Sequence, residues 1–135
     1  MKLAQRVSSL LICYCVLAMT GCGESVDPGS ATPEESASME VKMQALMMAQ
    51  AINASPATGA GPATQLSVTI ANIGDDAGEQ KAKMDQLKTL ADELTAIYAS
   101  ERPSISAIKK KAEEISTLAK QLPGDVPPEL TKGAP

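Results

Sequence analysis

Residues 84–98 read MDQLKTLADELTAIY, and their spacing decides the fold class. Met84, Leu87, Leu90, Ala91, Leu94, Ile97 and Tyr98 fall within about 140° of a helical circumference, while Asp85, Lys88, Asp92 and Glu93 occupy the rest. This is an amphipathic helix that must bury one side. Upstream, Asp76 and Glu79 have the spacing of a capping box, so the helix is expected over about 76–100. Downstream, Pro103 interrupts, and Ile105, Ile108, Ala112, Ile115, Leu118, Ala119 and Leu122 form a second inward stripe over about 104–122, stopped by Pro123 and Gly124. The apolar phase resumes unshifted across Pro103, so one long kinked helix competes with a hairpin. The hairpin is preferred, because an interior proline costs about 3 kcal/mol and each stripe is wide enough to need a cover.

A further helix is expected over about 33–53. Thr32 and Glu35 have capping-box spacing and Pro33 takes the favoured first position. Its apolar residues divide into two nearly opposite faces: Met39, Met43, Leu46 and Met47 on one, Val41, Ala45, Met48 and Ile52 on the other. One packing partner cannot bury both. Residues 54–65, rich in Ala, Pro, Gly, Ser and Thr, read as a flexible loop. Leu66, Val68 and Ile70 alternate like a strand, yet Leu66, Ile70 and Ile73 also fit a short helix closed by Gly74. A lone strand would have no partner here, which favours the helix. The expected architecture is all-α: a small bundle of three main helices within residues 33–122, with a loop at 54–75, a flexible tether at 22–32 and an extended, Pro-rich tail at 123–135.

The chain has 135 residues, 12 Lys and Arg against 16 Asp and Glu, and no His, Trp or Phe. At its start stand a basic Lys2 and Arg6, an apolar run from Leu10 to Met19 too short to span a bilayer, and small residues before Cys22. The stretch Met19, Thr20, Gly21, Cys22 resembles the lipobox of bacterial lipoproteins, with Met19 where that pattern most often has Leu. The resemblance implies that residues 1–21 are a signal peptide cut between Gly21 and Cys22, and that Cys22 carries a diacylglyceryl group and further acylation. At about 0.8 kcal/mol per buried methylene, two or three acyl chains anchor far more firmly than one. By the same resemblance, Gly23 rather than Asp after the cysteine implies the periplasmic face of the outer membrane in a Gram-negative cell. Without Lys2 and Arg6 the mature chain keeps 10 basic and all 16 acidic residues, a formal charge of −6 that argues against a nucleic-acid partner. Cys13 and Cys15 leave with the leader, so no internal disulfide is expected.

Catalytic equipment is not apparent. Ser106 and Lys109 match the S-x-x-K of penicillin-binding proteins, but no S-D-N or K-T-G follows and the chain is too short for that fold. The carboxylate pairs (Glu34 with Glu35, Asp75 with Asp76, Asp92 with Glu93, Glu113 with Glu114) are sequence neighbours, which a helix points about 100° apart. They do not converge as a general acid and base must. Asp75, Asp76 and Glu79 lack the spaced oxygen ligands of a Ca²⁺ loop and read as a helix start. Met39, Met43 and Met47 recur every four residues, and thioethers are ligands that Cu(I) prefers. Met is equally a filler of helical cores and interfaces. The expectation is a membrane-anchored, non-enzymatic structural or interaction module of the cell envelope. It has no cofactor beyond the lipid on Cys22, and its contact face for self-association or an envelope partner is drawn from Met39, Val41, Met43, Met47 and Met48. The alternative is a periplasmic Met-type Cu(I)-binding protein.

Overall fold

The computed structural model describes residues 31–132. The expected leader, Gly21, Cys22 and the expected tether as far as Ser30 lie outside them. Helix α1 spans Pro33–Ala54. Its start is the expected capping box: Thr32 Oγ1 accepts from the Glu35 amide at 3.2 Å and Glu35 Oε2 accepts from the Thr32 amide at 2.9 Å. At the other end the Ser55 amide donates to the Ala51 carbonyl, and a single 3₁₀ turn, Pro56–Thr58, reverses the chain.

The expected loop is instead mostly helix. α2 spans Ala60–Ile73 and buries Ala63, Leu66 and Ile70. Gly61 and Pro62 fall in its first turn, where backbone amides have no intrahelical acceptor, so residues that look like breakers are tolerated. Leu66 and Ile70 thus belong to a helix, as preferred, and Gly74 ends it at φ +54°, with its amide bonded to the Ile70 carbonyl.

The expected start of the next helix also moves. Residues Gly74–Gln80 form 3₁₀ turns, broken at Gly78 (φ +51°), and α3 spans Lys81–Ala99. The backbone reversal at Gly78 lies between Asp76 and Glu79, so the two cannot form a box. The Glu79 amide donates instead to Glu34 Oε1 of α1, at 3.0 Å. α4 spans Ile105–Ala119, with the Ser104 hydroxyl accepting from the Ala107 amide. α3 and α4 pack on one another, and Lys111 Nζ joins Glu93 across the turn at 2.8 Å. The hairpin, not the kinked helix, is therefore the arrangement around Pro103. Ile105, expected inward, is exposed at the first position of α4.

α1 packs on α2 and α4, and α3 on α2 and α4, which closes a four-helix up-down-up-down ring. All-α is the class read from the sequence, with α2 as an added wall. The core gathers Val41, Ala45, Met48 and Ile52 of α1, Leu66 and Ile70 of α2, Met84, Leu87 and Leu94 of α3, and Ile108 and Ile115 of α4. The tail is not extended throughout: Pro128–Lys132 form a short helix, α5, lying against α1. Among the described residues no helix is long and apolar enough to cross a membrane.

Candidate docking face on the first helix

The ring settles which face of α1 turns inward. Val41, Ala45 and Ile52 are fully buried and Met48 is 2% exposed, whereas Met39, Met43 and Met47 are 40%, 38% and 54% exposed. Val41 and Met48 are thus core residues, not members of a contact face. They are buried because α2 and α4 flank α1 on the side where these two side chains point. The three remaining methionines advance about 6 Å and turn about 40° at each step, so their thioethers form one oblique stripe. Among the described residues the other large exposed apolar side chains, Val68 on α2 and Ile105 on α4, occur one to a helix.

Leu46, expected on the Met face, is fully buried yet stands apart from the core cluster that the inward α1 side chains join. Lys42, one turn before Leu46, donates from Nζ to the carbonyls of Leu122 (3.0 Å) and Gly124 (2.9 Å), and Gln50, one turn after it, donates to the Glu129 carbonyl at 2.9 Å. At its far end the stripe runs into a groove of about 500 Å³ between α1 and the start of α2, lined by Gln44, Met47, Ala51, Pro62 and Gln65 among others.

The remaining candidates disperse. Ser106 and Lys109 are both exposed in the first turn of α4. Asp75 pairs loosely with Lys81 at 3.9 Å. Asp92 accepts from Ser67 of α2 and from Lys88, while Glu93 and Glu114 both accept from Lys111. The Lys88 ammonium, with the Ser67 hydroxyl, holds the Asp92 carboxyl below its ordinary value, and Lys111 does the same to Glu114. Glu114 and Glu93 in turn raise Lys111. These shifts favour the charged forms, as in structural ion pairs, and supply no proton donor near neutrality. Among the described residues, no group of His, Cys, Asp or Glu is arranged to hold a metal ion.

Sequence reasoning missed the tail's role, because the fastening donors on α1 meet main-chain carbonyls that leave no side-chain signature. Compared with protein-family models, curated proteins and solved structures, the chain matches none.

Proposed function

We propose that the chain is a lipid-anchored, non-enzymatic interaction module of the cell envelope, held at a membrane through Cys22 and pairing with a second copy through the outer face of α1. The observation that carries this reading is the exposed row of Met39, Met43 and Met47, three large apolar side chains on one helix, whereas Val68 and Ile105 stand singly on theirs. Flexible thioether side chains suit an adaptable apolar interface.

The tether favours a second copy as the occupant. It enters α1 at Thr32, so two copies anchored in one membrane present this helix in the same direction. Parallel pairing then sets each methionine opposite its counterpart. Helical geometry puts Glu40 and Lys42 on opposite margins of the stripe, so each copy's Glu40 faces the Lys42 margin of the other. The acidic balance of the mature chain agrees with a protein partner rather than nucleic acid, and Gly23 supports delivery to the outer membrane.

Labelling cells with radioactive palmitate tests the anchor: label is expected on the parent and not on a Cys22→Ser variant. Cross-linking in membranes tests the pairing. Met43→Cys is expected to give a band of twice the mass, and Lys109→Cys none. Equal yields at both positions, or a Met43→Cys adduct only with another protein, would refute the pairing with a second copy.

The exposure of all three thioethers also keeps a Cu(I) site in view as a second reading. Neighbouring methionines can converge on one two-coordinate ion, whereas Met39 and Met47 stand about 12 Å apart along the axis. A Cu(I) titration decides it: stoichiometric binding lost in Met43→Leu supports a carrier, and no binding removes it.

A further inference from the structure

Beside the Met stripe, α1 carries a second row at four-residue spacing, Lys42, Leu46 and Gln50. Lys42 and Gln50 hold the tail by its main chain, at Leu122, Gly124 and Glu129. On α1 Leu46 lies between these two donors, and the tail's Val126 and Leu130 are half-buried. Leu46 is the one large fully buried side chain of α1 that lies outside the core cluster, and it stands between the two α1 donors that bind the tail. The tail also begins tightly against the stripe. A Cβ on Gly124 would lie 3.1 Å from Met39 Cβ, closer than side chains ordinarily approach, and Gly124 adopts φ +102° there.

The segment is lightly held. α5 has five residues and buries none of them, and the Gln50 bond is exposed. Few apolar contacts and solvent-exposed hydrogen bonds are the marks of a segment that opens without global unfolding. Because both donors reach carbonyls, they secure a backbone and do not read particular side chains.

We propose that residues 125–132 are a strap that occupies the Leu46 row of α1 within one molecule and lifts when two copies pair, adding Leu46 to the docking face. The purpose of the strap rests on the pairing reading. Its opening does not.

The test uses the chain from residue 22 carrying Cys22→Ser, which holds no other thiol, with single cysteines introduced for thiol labelling. A Leu46→Cys thiol is expected to react at least about tenfold faster than a Val41→Cys thiol, since the first needs only strap opening and the second needs the bundle to open. Ending the chain after Gly124, or replacing Gln50 with Met, should bring Leu46→Cys close to the rate of Met47→Cys and leave Val41→Cys unchanged. Equal slow labelling of Leu46→Cys and Val41→Cys, unmoved by either change, would place Leu46 in the core and overturn the strap.

Sedimentation of the same proteins separates strap from pairing. The chain ended after Gly124 should dimerise at least about tenfold more tightly than the parent. Unchanged dimerisation refutes strap inhibition, whereas monomers throughout, with fast Leu46→Cys labelling, refute pairing and leave the strap standing.

Discussion

Tyr98, in the last turn of α3, donates its hydroxyl proton to the carbonyl of Pro56 in the turn between α1 and α2. It thereby ties the end of one hairpin to the bend of the other. Burial raises the phenol's pKa, so it stays a donor well into alkaline conditions. Gly59 closes the same corner: any Cβ there would run into the Tyr98 hydroxyl and Ile52. Tyr98→Phe is expected to lower stability by about 1 kcal/mol. Gly59→Ala should lower it by about 1–3 kcal/mol through overpacking. Urea unfolding followed by circular dichroism measures both. A Gly59→Ala protein as stable as the parent would show that the corner is loosely packed.

Glu34 and Gly78 form a second tie. The Glu34 carboxylate bonds the Glu79 amide and fills the space a Cβ on Gly78 would need, and Gly78 holds φ +51°. Gly78→Ala is therefore expected to be destabilising twice over, by at least about 1 kcal/mol. Removing the carboxylate in Glu34→Ala should relieve the clash but not the backbone strain. In a double-mutant cycle the two losses should be less than additive, and strict additivity would mean that the residues do not interact.

The helices with wide stripes were legible because their apolar periods are long and uninterrupted. Residues 84–98 and 108–122 carry enough Leu and Ile to reveal both element and inward face. α2 was hidden for a specific reason: Gly61 and Pro62 signal a loop wherever they stand, and only a first-turn position makes them harmless. The start of α3 was misplaced because Asp76 and Glu79 have the right spacing, while the Glu79 amide, just past the reversal at Gly78, is taken by a carboxylate 45 residues away, on Glu34. On α1 the sequence showed two apolar faces without ranking them. Which one becomes core depends on where α2 and α4 lie, and only the second half of α2 was read as helix.

Acid should weaken the bundle in a defined window. Asp92 and Glu114 have folded pKa values below their ordinary 3.8 and 4.5. Their contribution is thus complete above those values and is lost as pH falls through the lower folded ones. Lys111 is raised above 10.5, so its contribution is complete below that pH and fades only as pH rises past it. Thermal midpoints are expected to be level near neutrality and to drop below about pH 4, with a shallower drop in Asp92→Asn. An identical acid limb in the variant would show that the Ser67 and Lys88 contacts contribute nothing.

Ser38 and Ser116 are fully buried, and their hydroxyl oxygens have no hydrogen-bond partner. An unsatisfied buried hydroxyl costs about 1–3 kcal/mol. Replacing each with Ala removes that penalty and suits the helix. Ser38→Ala and Ser116→Ala should each raise the denaturation midpoint. A lowered midpoint would mean that the hydroxyl is satisfied.

That α1 has one face for the core and one for a second copy is tested most directly by sedimentation equilibrium on the chain from residue 22 carrying Cys22→Ser. The parent is expected to dimerise with rising concentration. Met43→Glu with Met47→Glu should give a helical monomer. Val41→Glu with Met48→Glu should abolish the fold, because two unpaired carboxylates cannot be buried there. A parent that stays monomeric at every concentration, or a Met43→Glu, Met47→Glu protein that unfolds, would contradict the assignment of an outward docking face.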